Sequence, residues 1–274
     1  MSRSNEVSQL PWRFLQSIND ALAVDDMHLI HASLPDQQLA VDGFVPRVLR
    51  EFSCDGFLIN YTHRIPASML EEIERCKPPS VWMNVKREID SVYPDDIDAG
   101  HRLTDTLIER GHRKITYADN SHPQDQSEPH HSSMDREAGY RSAMAAAGLT
   151  PEVIRPGNYL QPEERIPYYR QFIASPDRPT AIIGYGETTT TPIAVAAATV
   201  GITVPEDLSL AGFGEKSTGS LGVMLATMIL PYEQMGREAV SAVSAKIDQP
   251  DSDQPSVAVP FYFDPGGSIA TLRP

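Results

Sequence analysis

The 274-residue chain is 41% hydrophobic and 22% charged, which is the composition of a globular protein and excludes disorder along its length. Its formal charge of −14 argues against a surface that grips phosphate backbones, because such binding exchanges counterions for Lys and Arg. No run of about 18 apolar residues occurs, the first residues carry no hydrophobic signal core, and the expected location is cytoplasmic.

In chain order, short apolar runs alternate with longer amphipathic stretches. Strands are predicted at Met27–Ala32, Gly56–Asn60, Val81–Asn84, Lys114–Ala118, Ala181–Tyr185, Leu208–Phe213 and Ala226–Leu230. Helices are predicted at Pro11–Val24, Val45–Phe52, Pro66–Cys76, Asp96–Arg110, Ser133–Ala147, Pro162–Ala174, Thr189–Val200 and Tyr232–Ile247. This strand–helix order reads as an α/β fold with parallel sheets, and the length suits two lobes. Asp98 is expected to cap a helix start, and Gly111, Gly148 and Gly201 are expected just past helix ends, where positive φ is needed. The chain opens into a polar segment and a helix, where a doubly wound lobe normally opens with a strand. The first strand of the first lobe is therefore expected to be missing, either removed together with whatever precedes it or because Met1 is an internal methionine of a longer chain.

His122, His130 and His131 sit in a polar stretch that reads as an exposed loop; no ligand spacing supports a metal site, and no cofactor is expected. Cys54 and Cys76 lack disulfide or metal spacing and read as buried free thiols. A nucleophile elbow, a phosphate-binding glycine loop and a zinc-helix motif are all absent, so no enzyme is expected.

Six blocks carry a resemblance: 54–59 (CDGFLI), 107–115 (LIERGHRKI), 135–140 (DREAGY), 179–182 (PTAI), 201–213 (GITVPEDLSLAGF) and 231–240 (PYEQMGREAV). In this order the chain resembles the effector-binding domain of LacI/GalR transcription regulators. The resemblance implies two doubly wound parallel-sheet lobes of the periplasmic binding protein-like type, with a small-molecule ligand in the cleft between them. Residues 1–119 with 231–258 are expected to form the N-terminal lobe, and 120–230 with 259–274 the C-terminal lobe. It further implies a sugar or sugar-acid effector, a homodimer, and DNA contact only through an N-terminal domain absent from this sequence. A transporter's solute-binding protein is the alternative with the same clamp.

Carried over by position, Arg136 is implied to hold ligand hydroxyls or carboxylates, a task suited to its planar five-donor fork. Asn84 stands where the family often has Asp, and Trp82 is a possible pocket wall, though a core role suits it better. The family's Asn-Asp pair appears here as Gly186-Glu187 and its Asp-Asp pair as Gly214-Glu215. The glycines thin the usual grip on sugar hydroxyls, and backbone amides, Glu187 and Glu215 are the available substitutes. His112, in the turn after Gly111, reads as structural.

Overall fold

A computed structural model describes residues 10–31, 54–60, 67–122, 129–220 and 222–272. The predicted helix Val45–Phe52 lies outside them. The chain divides into two compact units, Met1–Pro94 with Pro231–Val259, and Asp95–Leu230 with Pro260–Pro274.

In the first unit the described elements are α1 (Trp12–Leu22) with a short 3-10 turn after it, β1 (Phe57–Asn60), α2 (Ala67–Cys76), β2 (Ser80–Met83) and β3 (Ser91–Pro94). The returning chain adds α7 (Tyr232–Asp248) and β11 (Val257–Val259). The four strands form one parallel sheet in the order β1-β2-β3-β11. Every residue of β2 is buried, as expected of a strand covered on both faces. On one face Val81, Met83, Val92 and Val259 pack against Phe14 and Ile18 of α1 and Met235, Ala239 and Val243 of α7. On the other, Trp82 and Ile59 meet Leu70 and Ile73 of α2. Met27–His31 joins no strand ladder among the described residues, although Met27 and Leu29 are half-buried and His28 and Ile30 exposed. Its alternation reports which side chains pack, and a strand also needs a backbone partner.

The second unit runs α3 (Asp96–Glu109), β4 (Ile115–Ala118), α4 (His131–Ala146), β5 (Glu152–Ile154), α5 (Pro162–Ile173), β6 (Ala181–Gly184), α6 (Glu187–Thr199), β7 (Ser209–Gly214), the hairpin β8 (Gly219–Ser220) and β9 (Val223–Met224), and β10 (Ala226–Ile229). β12 (Tyr262–Asp264) closes it. The sheet order is β12-β10-β7-β6-β4-β5, parallel except for β12. Leu103, Leu107, Tyr140 and Met144 of α3 and α4 share one core with β4 and β7, and Tyr169, Ile173, Ile193 and Ala197 of α5 and α6 share another on the opposite face. The sheet is therefore doubly wound.

The division falls at Pro94/Asp95, not at Asp119 as the sequence suggests, and again at Val259/Pro260. β4 pairs with β5 and β6, so α3 and β4 belong to the second unit. Nothing in the composition of Tyr93-Pro94-Asp95-Asp96 marks a linker.

Glycines set the contact of α3 with α4. A Cβ on Gly100 would run into the Arg136 carbonyl, and one on Gly139 would run into the Ile97 carbonyl and stand 2.7 Å from the His101 nitrogen. The two helices therefore touch backbone to backbone. Gly111, Gly148 and Gly201 do take positive φ. The cap of α3, however, is Asp95, whose carboxylate accepts from the Asp98 amide at 3.1 Å, while Asp98 itself pairs with Arg102.

His112 is buried, with Nδ1 2.9 Å from Thr180 Oγ1 and Nε2 3.2 Å from the Ala270 carbonyl oxygen, tying the C-terminal segment to the end of β4's lead-in turn. Burial holds its pKa below the ordinary 6.5, against the Ala270 carbonyl and with help from Arg110. The unfolded chain therefore binds a proton that the folded one resists, and stability is lost as pH falls below about 6.5. In urea titrations from pH 7.5 to 5, His112→Gln should flatten this part of the stability profile. An unchanged pH slope in the variant would contradict the assignment.

Candidate functional site

Parallel pairing brings the ends of three strands of the second unit to one edge, since Ala118 faces Gly184 and Gly184 faces Gly212. Doubly wound sheets bind ligands at this edge. Asp119-Asn120 follows β4, Tyr185-Gly186 follows β6, and Glu215 follows β7. The start of α6 comes close because a Cβ on Gly184 or Gly212 would stand 2.5 or 2.7 Å from Thr190 Cγ2. Pro192 cannot donate to the Thr188 carbonyl, so Asn120 Nδ2 does so at 3.2 Å, and Asn120 Oδ1 accepts from Thr189 Oγ1 at 2.6 Å.

Arg136, in the second turn of α4, is 6% exposed. Its Nε donates to Asp96 Oδ1 at 2.6 Å and its Nη1 to the Tyr185 carbonyl at 2.8 Å. The guanidinium carbon lies 4.8 Å from the ring centre of Tyr185, 4.6 Å from Phe213 and 5.6 Å from Phe261. Rings around a guanidinium stabilise its charge and leave its in-plane donors as the open edge. Burial works against that charge, but Asp96, Tyr185 and Tyr117 together outweigh it and the group is held well above its ordinary pKa. Burial pushes the Asp96 carboxyl up, and Arg136 pulls it back. Asp96 Oδ2 has no hydrogen-bond partner among the described residues and lies 3.9 Å from His131 Nε2.

A second polar cluster sits beside this pair. Buried Asp119 accepts from Ser133 Oγ at 2.5 Å and from the Ser121 amide at 2.8 Å, with Arg155 Nη2 at 3.6 Å. Arg155 also pairs with Glu137 at 2.5 Å, which in turn holds Arg141 at 2.7 Å. His122 is buried here, 3.6 Å from Asp119 through Nδ1, and is not the exposed loop residue expected from the sequence. His130 caps α4, its Nδ1 accepting from the Ser132 amide at 3.3 Å. Among the described residues no group of three or more His, Cys, Asp or Glu could hold a metal ion, and Cys54 and Cys76 are free, half-buried thiols.

Of the residues singled out from the sequence, the second unit places five around this edge: Arg136; Gly186, the N-cap of α6, with exposed Glu187 beside it; and Gly214, ending β7, with exposed Glu215 beside it. The first unit carries the other two. Asn84 is half-buried after β2 with φ of 60°, and its backbone N–H donates to the Val92 carbonyl at 2.9 Å. Trp82 is a core residue of β2, packed against Ile59, with the Arg87 guanidinium 4.9 Å from its ring. Sequence reading misses Asp96, Asp119, Asn120, Tyr185, Phe213 and Phe261. Asp119 and Asn120 had a signal, two polar residues directly after an apolar strand, whereas Phe261 returns from far along the chain.

Residues 104–269 match the periplasmic binding protein-like domain family, which is more than half of the chain. The chain belongs to that family. It is 24% identical over 284 aligned residues to the HTH-type transcriptional regulator GntR of Escherichia coli strain K12, covering 98% of this chain and 78% of the relative. A transcription regulator from Lactobacillus plantarum superposes with a TM-score of 0.76 at 21% identity, over 95% of this chain and 96% of that one. A LacI family regulator from Enterococcus faecium with bound ribose gives 0.73 at 17% identity, over 95% and 94%. The LacI/GalR resemblance and the α/β class with doubly wound parallel sheets are thereby borne out. Among the described residues no helix of this periplasmic binding protein-like domain is long and apolar enough to cross a membrane.

Proposed function

We propose that this chain is the effector-sensing part of a LacI/GalR-type transcription regulator, binding a small hydroxyl-rich metabolite at the strand-end edge of its second unit. The observation that supports this reading best is Arg136. Among the described residues two of its five donors are engaged, by Asp96 and the Tyr185 carbonyl, and the others are available to a ligand's hydroxyls. The bound ribose of the Enterococcus faecium neighbour supports a sugar-like effector, and the GntR relative supports a regulatory role. Occupancy controls DNA affinity only if the effector binds two conformations of the regulator unequally. On this reading DNA contact falls to a helix-turn-helix head joined to the sensing part, in keeping with a charge of −14 here, and two copies pair to match a two-fold operator. No catalytic step is part of it.

A thermal-shift panel of neutral sugars, sugar acids and nucleosides tests the reading. A ligand at about a hundred times its Kd adds about 2.7 kcal/mol to apparent stability, which raises the melting temperature by several degrees. At least one panel member should do this saturably. A panel that leaves the midpoint unmoved throughout overturns the reading.

A further inference from the structure

We infer that Asp96 sets the charge preference of this site, by neutralising Arg136 so that the second unit accepts an uncharged polyol or glycoside and not a sugar acid or sugar phosphate; the inference rests on the sensing role proposed above. An arginine at a ligand site ordinarily invites a carboxylate or phosphate, because its fork matches both. Here the charge is already matched, although donors of the fork remain. Asp96 is 1% exposed and takes Nε, so the pair presents hydrogen-bond donors with no net charge. Asp96 Oδ2 accepts no hydrogen bond among the described residues and has only His131 Nε2, at 3.9 Å, facing it, so its negative charge stays close to any anion held by Arg136 and does not penalise a hydroxyl.

The surrounding groups give the same answer. Arg155 and Arg141 are engaged by Glu137, and Arg155 also faces Asp119. Glu187 and Glu215 stand exposed at the ends of β6 and β7, with Lys216 following Glu215. The chain's net charge of −14 disfavours the approach of an anion from a distance. In a low-dielectric setting these terms are felt more strongly than in water.

Asp96 is a positioning and specificity residue in this account, acting through Arg136. Its test compares matched probes by calorimetric titration: galactose with galacturonate, ribose with ribose 5-phosphate, and glucitol with gluconate. In the wild-type chain the neutral member of any pair that binds should bind more tightly. Asp96→Asn keeps the shape and can still accept from Nε but leaves the Arg136 charge uncompensated. It should raise the acid-to-neutral affinity ratio by about tenfold or more, and acids should restore melting temperature that the substitution itself lowers. Asp96→Glu keeps the charge and should keep the neutral preference. A merely structural role for Asp96 would lower stability in Asp96→Asn and leave the ratio unmoved, and that result overturns the inference. So does a wild-type chain that prefers the acid partner by about tenfold, a comparison that needs no variant to fold. If no probe of either charge binds the wild type, the sensing role itself fails, and the inference with it.

Discussion

Arg136→Ala is expected to destabilise the second unit by about 3–5 kcal/mol, because it strands the buried Asp96 carboxylate without its cation. The substitution also removes the guanidinium that packs among Tyr185, Phe213 and Phe261 and the bond to the Tyr185 carbonyl. A ligand-binding arginine that merely pointed outward would cost almost nothing. Urea unfolding followed by tyrosine fluorescence and circular dichroism measures the difference. The double variant Arg136→Met with Asp96→Ala should recover much of the loss, since replacing a buried pair with apolar groups is often close to neutral whereas breaking it is not. A double variant no more stable than Arg136→Ala alone would show that packing, and not the stranded charge, carries the cost.

Gly139→Ala should cost about 2–3 kcal/mol, large for a single added methyl, because the new Cβ meets backbone on α3 and neither helix can yield locally. In the interior of a free helix the same change would be stabilising by roughly 0.5–1 kcal/mol. The sign of the effect is thus the test. A midpoint shifted downward supports the backbone contact at Gly100 and Gly139, and one shifted upward contradicts it. Because α4 carries Arg136, a shifted helix should also weaken whatever ligand the wild type binds, whereas Gly148→Ala, whose Cβ would meet nothing within 4 Å, should leave binding unchanged.

The α/β architecture was legible because the strands of the two sheets are apolar runs buried on both faces, such as Val81-Trp82-Met83 and Ala181-Ile182-Ile183. β3, β5, β11 and β12 escaped notice for a physical reason. They are three or four residues long, and all but β11 mix polar with apolar, as in Ser91-Val92-Tyr93-Pro94 and Tyr262-Phe263-Asp264. Neighbouring strands hold them, and a strand held by its neighbours needs little pattern of its own. The site was legible at Arg136 and at the two glycine–glutamate pairs, all of which stand in blocks with recognisable order. Asp96 was not, since it reads as one of several acidic residues at a helix start whose cap is expected at Asp98, and only the fold shows that Asp95 does the capping while Asp96 turns to a residue 40 positions away. Glycine presents the same difficulty. Gly111 announces itself by following a helix, whereas Gly139 sits within one, and its use depends on a neighbour that no local window contains.

The most direct measurement is a crystal structure of this chain grown with whichever neutral panel member raises its melting temperature. The account predicts that the sugar lies at the ends of β6 and β7 with a hydroxyl oxygen within hydrogen-bond distance of Arg136, while the Arg136–Asp96 pair stays intact. A ligand seated away from Arg136, or one that binds by breaking that pair, would contradict it.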